Sequence, residues 1–317
     1  MWIPPPTITE HQGEPIAPDR DFFVVPPIDI GPVRTAHTSL KQGVVAKSPP
    51  VRLAIALAWG AVGFLLAMGL QRFTALLYIP SGLTHTPIVL WEIIIAILPA
   101  YLGWRKSAFK HFCNFVGDGG CAQYTCEGDR GTITENSVFR FQNAVSLSTS
   151  TIRHIKNGRY TYTNFYYNWY GADDQSTVYS IAGSHSADMK TPPAGNPYNF
   201  ARAAENAWYA FVAPRIQSEL AHKGFVKFRM GRDRWTVVGP GFIEITEKNG
   251  KVSRCEAGDI GSAKLDAGFL TIARQGAKPS RFDLFSPEGV FRYDYSVVHN
   301  ARMFLYVFEK CLGCRVA

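Results

Sequence analysis

Leu53 to Leu70 reads LAIALAWGAVGFLLAMGL, eighteen residues without a charge. At ~1.5 Å rise per residue such a helix covers ~27 Å, close to the ~30 Å hydrocarbon thickness of a bilayer. Arg72 follows closely enough to snorkel, and Phe73 to Ile79 can lengthen the helix before Pro80-Ser81-Gly82 breaks it. A second apolar segment, Ile88 to Trp104, holds one acid, Glu92, and one proline, Pro99. Proline is tolerated in a membrane helix where neighbours satisfy the freed backbone groups. Trp91, Tyr101 and Trp104 sit near its ends, where aromatic belts form. Neither segment has the polar stripe of a surface helix. Residues 51–104 are therefore expected to form a transmembrane helical hairpin. A secretory signal is not expected, since some fifty residues precede the segment and no small-residue cleavage pattern follows it.

Flanking charge sets the expected orientation. Lys41, Lys47 and Arg52 precede the first segment, Arg105, Lys106 and Lys110 follow the second, and Pro80 to Pro87 contains no Lys or Arg. The positive-inside rule then places both termini in the cytoplasm of a cell with an inner membrane, with Arg72 the one dissenting charge. Residues 1–104 hold six basic and six acidic residues, so the net charge of +8 lies wholly in the remainder. A basic soluble part beside a membrane suits an anionic leaflet. Glu92 and Arg72 are the intramembrane polar candidates. An ionisable group inside a span marks a functional site by default, but Glu92 lies one turn into its helix and is read as structural, reaching the headgroups or pairing with Arg72. No further intramembrane acid, His or Lys supplies a relay.

Ten of the twenty prolines fall in residues 1–50, and the apolar residues there follow neither helical nor strand period. This stretch is expected to be a disordered, proline-rich tail. Beyond Lys110 short alternating runs begin: Cys121 to Glu127, Val138 to Leu147, Thr151 to Lys156, Tyr160 to Trp169 and Thr177 to Ala182. A helix follows, with Asn196 as N-cap, Pro197 in its first turn, Pro214 inside it and Gly224 as its left-handed stop. The order then repeats. Strands are expected at Phe225 to Met230, Trp235 to Val238, Phe242 to Thr246, Val252 to Glu256, Ala263 to Leu265, Phe269 to Ala273, Arg281 to Phe285 and Val290 to Tyr293. A last helix is expected over 297–312, capped by Ser296. Residues 111–224 and 225–317 each read as strands closed by one amphipathic helix, an α+β arrangement.

This order, given twice, resembles the pleckstrin-homology-like fold. Together with the two-span hairpin, Val238-Gly239-Pro240-Gly241-Phe242 and Arg254-Cys255-Glu256-Ala257 are similar to stretches in an uncharacterised bacterial family of membrane proteins with a cytoplasmic PH-like part. The resemblance covers roughly residues 50–317. It implies a transmembrane hairpin followed by tandem PH-like sandwich or barrel units, and it transfers no catalytic residue. In lipid-binding PH domains basic residues on the first two strands contact headgroup phosphates. Lys227, Arg232 and Arg234 resemble that spacing, and Arg229 adds charge, so these four are the lipid- or anion-binding candidates.

No HExxH, GxSxG, Walker A or GxGxxG motif occurs, and the eight His are scattered. Cys311-x-x-Cys314 stands alone, and Cys121 and Cys126 are too isolated for a zinc framework, so all six Cys are expected as free thiols. No metal and no cofactor is expected. The aromatic strand at Tyr160 to Trp169 suits a sheet core better than base stacking, which disfavours nucleic acid as a partner. The expected function is a membrane-anchored cytoplasmic binding or scaffold protein whose units recognise a protein partner or anionic lipid, with self-association open. The competing expectation is a subunit of a membrane enzyme complex.

Overall fold

The computed structural model describes residues 2–20, 23–39, 49–76, 85–107, 110–127, 132–173, 175–186, 192–231, 234–246, 250–277 and 289–317. The two apolar segments form α1 (Pro49–Leu76) and α2 (His85–Lys106), packed side by side. Small residues make the seam. Gly60 faces Ala100, and a Cβ on Gly63 would stand 2.8 Å from the Pro99 ring, so the helices approach closely. At one end Arg52 stacks 4.4 Å over Trp104 and donates to its carbonyl at 3.2 Å. The large apolar side chains turn outward: Leu57, Leu65, Leu66, Leu70, Ile97 and Leu98 are 59% to 68% exposed. Over Pro50–Leu70, α1 is the one helix among the described residues long and apolar enough to cross a membrane. The described apolar part of α2, Ile93–Trp104, is shorter.

Among the described residues, the rest of the fold is built from four antiparallel sheets and two further α-helices. β1 (Val33–Thr38), β2 (Lys110–Gly117), β3 (Gly120–Glu127) and β4 (Thr132–Arg140) form a meander in that order. β1 pairs with β2 through Ala36 opposite Phe115 and Thr38 opposite Cys113. The helical hairpin is therefore inserted between two adjacent strands of one sheet. A three-stranded meander follows, β5 (Ser146–Lys156), β6 (Arg159–Tyr170) and β7 (Thr177–Ser186), and then α3 (Pro197–Lys223). The same order recurs: β8 (Val226–Arg229), β9 (Trp235–Gly239), β10 (Phe242–Thr246) and β11 (Val252–Glu256), next β12 (Ile260–Asp266), β13 (Phe269–Arg274) and β14 (Val290–Asp294), and finally α4 (Ala301–Leu312). One core joins both halves, with Trp169, Trp208, Phe304 and Phe308 fully buried in it.

Several sequence expectations need correction. The first unit begins at β1, ahead of the hairpin, and not at residue 111. The strand expected over Val138 to Leu147 is interrupted by a single turn, Phe141–Asn143, whose buried Phe141 anchors the passage between sheets. The α3 ends follow the sequence signals: the Asn196 side chain accepts from the Tyr198 N–H at 2.9 Å, and Gly224 closes the helix at φ +75°. α4 starts at Ala301, later than expected, because Asn300 and not Ser296 precedes it and its side chain is engaged elsewhere. The expected strand Arg281 to Phe285 lies outside the described residues.

The N-terminal stretch is folded where the sequence suggests a tail. Trp2 bridges Phe23, and Thr9 bridges Thr35 of β1. Ile8, Phe23 and Ile30 come singly along the chain, yet each is buried against the sheet face that carries Phe115 and Cys113. The Trp2 ring stands 5.5 Å from Phe115. On the opposite face of β1, Glu10 holds His37 at 2.6 Å with both groups buried, and Arg20 reaches the Thr38 carbonyl at 3.2 Å. His11 bonds Thr35 at 2.8 Å, and its ring lies 5.3 Å from that of Phe200 of α3.

That clasp has a pH signature. Burial, with His37 as second cause, lowers the His11 pKa from 6.5 to about 3. The folded protein keeps His11 neutral while the unfolded chain takes up its proton below pH ~6.5, so stability rises with pH in this window and is lost on acidification. Between pH 7 and pH 5 this group should cost about 2 kcal/mol of stability at ~1.4 kcal/mol per pH unit. His11→Gln should flatten the fall in Tm over that interval, and an unchanged slope would assign it to other groups.

Candidate functional site

β8 leaves α3 and places Lys227 and Arg229 on one strand face, Phe228 and Met230 on the other. Phe228 and Met230 are buried in the shared core. Lys227 remains at the surface with its ammonium 4.3 Å from the Trp235 ring centre. Arg229 is only 6% exposed, because the first unit covers this face. Its Nε donates to the Gly231 carbonyl at 2.7 Å, and its own carbonyl accepts from the His299 N–H at 3.0 Å. The alternation thus brings Lys227 and Arg229 together around Trp235, but not on a free strand edge. Arg234 turns to Tyr293, 5.4 Å from its ring centre. Arg232 lies outside the described residues. Arg72 is exposed on α1, whereas the Glu92 side chain, and with it the expected Arg72–Glu92 pairing, lies outside them.

Residues that sequence reasoning missed complete this region. Asn300 adopts a left-handed conformation, φ +51°. Its Oδ1 accepts from the Leu147 N–H at 3.1 Å and from Trp208 Nε1 at 2.9 Å, and its backbone N–H donates to Leu147 at 2.7 Å. Neighbouring His299 bonds Ser146 through Nδ1 at 2.8 Å and stacks on Tyr170. The start of α4 is thereby sewn to β5 of the first unit. An Asn before a helix reads as a cap, and nothing local in the sequence shows that its side chain serves another unit.

Arg229 and His299 form a wall between two recesses, of about 320 Å³ and about 290 Å³. Among the described residues, Arg215, Lys227 and Arg229 line the second together with the acid Glu219. Its cationic excess can accommodate a phosphate or carboxylate. A separate cluster lies under the first sheet. β2 and β3 bring His111, Cys113 and Cys126 together, all buried, with ligand atoms within 4.8 Å of one another. Burial pushes the Cys126 thiol up to about 12, raises Cys113 and lowers His111, so all three rest neutral. Two thiols and an imidazole are a soft donor set. The spacing of these three in sequence matches no paired-cysteine pattern, so the cluster is visible only once the strands pair. None of the six cysteines is in a disulfide.

No family model matches this chain, and no curated protein matches it.

Proposed function

We propose that the chain is a membrane-anchored binding protein. In this reading α1 and α2 are a two-span hairpin in a bacterial inner membrane, and the two sheet-and-helix units lie in the cytoplasm, where they recognise a protein partner or anionic lipid. The observation that carries it is the outward, solvent-exposed array of Leu and Ile on a helix pair that meets through Gly60 and Gly63 against Ala100 and Pro99, and Gly103 against Trp59. Such a pair has nothing apolar to bury against in water, and lipid chains supply that surface. Arg52 and Trp104 at the end nearest the sheets suit an interfacial position. The repeated order of four strands, three strands and a helix supports reading each unit as PH-like. The cationic recess at Lys227 and Arg229 supports an anionic group as its ligand.

The test uses the full-length chain in a bacterial host. The protein should stay in the membrane pellet through alkaline carbonate extraction, and a reporter fused after Ala317 should read cytoplasmic. Recovery in the carbonate supernatant would remove the anchor, and alkaline-phosphatase activity at that fusion would reverse the orientation.

A further inference from the structure

The β5–β6 hairpin extends beyond the body of the protein. From Thr151 to Tyr160 every residue except His154 is exposed, consecutive ones included, so neither face of the ribbon is covered. Asn157 and Gly158 both take positive φ, +52° and +74°, and close it as a tight two-residue turn. The tip carries a distinctive mixture. Ile152 and Ile155 are 47% and 69% exposed, and Tyr160 and Tyr162 stand beside them. Arg153, Lys156 and Arg159 supply cations, and no acid occurs between Glu135 and Asp173. An exposed aliphatic tip ringed by cations and tyrosines is poorly suited to water and well suited to the polar–apolar boundary of an anionic bilayer.

Contacts along β6 give its direction. Trp169 lies 5.5 Å from Phe139, beside the β2–β3 turn at the end of the first sheet remote from α2. Four residues earlier, Phe165 packs on Tyr198 in the first turn of α3. A Cβ on the adjoining Gly195 would stand 2.9 Å from the His37 ring and 3.5 Å from Phe112, and Phe112 is two residues into β2, just after α2 ends. β6 therefore runs, read backwards, toward the side where the helical hairpin emerges. From Trp169 to Arg159 it covers ~33 Å at ~3.3 Å per residue, against ~20 Å from Val116 to Lys110 on β2. The tip overshoots the sheet on the hairpin side.

We infer that the β5–β6 tip is a second membrane contact, dipping Ile152 and Ile155 into the interface of an anionic leaflet while Arg153, Lys156 and Arg159 meet lipid phosphates. The inference rests on the membrane reading above, and the experiment separates the two. The full-length protein is placed in nanodiscs containing phosphatidylglycerol with nitroxide-labelled acyl chains. A fluorescent amino acid replaces Ile155 in one preparation and Trp59 of α1 in another. Both labels should be quenched. The triple variant Arg153→Glu, Lys156→Glu, Arg159→Glu should reduce quenching at position 155 at least twofold and leave position 59 unchanged. All three side chains are exposed, so folding is not at stake, and the unfolding temperature of the variant verifies this. Quenching at 59 with none at 155 would overturn the tip contact and leave the anchor standing. No quenching at 59 would overturn the anchor and the tip contact with it.

Discussion

Asn300→Leu should cost about 4 kcal/mol and split unfolding into two transitions. The substitution removes the acceptor shared by the Leu147 N–H and the Trp208 indole N–H, both in the interior. Each stranded buried donor costs ~1–3 kcal/mol. A β-carbon side chain without Asn's local hydrogen bonding adds about 1 kcal/mol at φ +51°. The cost falls on the joint between units, so the second unit should come loose before the first melts. Urea unfolding of the full-length protein in detergent, followed both by far-UV circular dichroism and by tryptophan fluorescence, reads this as two transitions that do not coincide between the probes. Asn300→Gly separates the contributions: it relieves the backbone but restores neither hydrogen bond, so it should recover about a quarter of the loss. A single transition within ~1 kcal/mol of the wild type would show that the shared core and not Asn300 couples the units.

Gly117→Val should detach the N-terminal clasp. A Cβ at Gly117 would stand 2.4 Å from the Ile30 carbonyl oxygen, a backbone atom held by the Gly119 N–H at 2.8 Å. A small shift does not clear the clash, because the Asp118 backbone N–H also donates to the Pro32 carbonyl at 3.1 Å and ties the two segments together on the far side of Gly117. Relief comes from expelling residues 28–32, and with them Ile30 from its buried position over the sheet. We expect a loss of about 3 kcal/mol or more, in the range for overpacking plus a vacated apolar site. Limited proteolysis should then cut ahead of Ser39 while leaving the later sheets intact. An unchanged digestion pattern and a Tm within ~1 °C of the wild type would refute the notch.

Local signals in the sequence were enough for α1, α3 with both caps, and most strands of the second unit, where alternation is strict and turns carry Gly. They failed wherever the partner is distant. β2, KHFCNFVG, is covered on both faces, so its Phe, Cys and Val blur the two-residue period. β1 lies on the other side of the helical hairpin from its partner strand, and no local pattern reveals that pairing. The prolines of the N-terminal stretch suggested a tail, but they shape extended segments that drop single apolar residues onto the sheet. At the candidate site, alternation correctly grouped Lys227 with Arg229. Burial of Arg229 comes from another unit, and the role of Asn300 depends on Trp208, ninety-two positions away. The His111, Cys113 and Cys126 cluster likewise needs the register of β2 on β3.

The insertion point of the helical hairpin has a consequence for biosynthesis. The ribosome delivers β1 before the helical hairpin and its neighbouring strand after it. In the membrane reading, a nascent chain that crosses once leaves the two strands on opposite sides of the bilayer, and the first sheet cannot close. Only an even number of crossings reunites them. In that reading the domain's ability to fold acts as a parity check on translocation: a mis-threaded chain would betray itself as an unfinished sheet, exposed to the proteases that clear such failures.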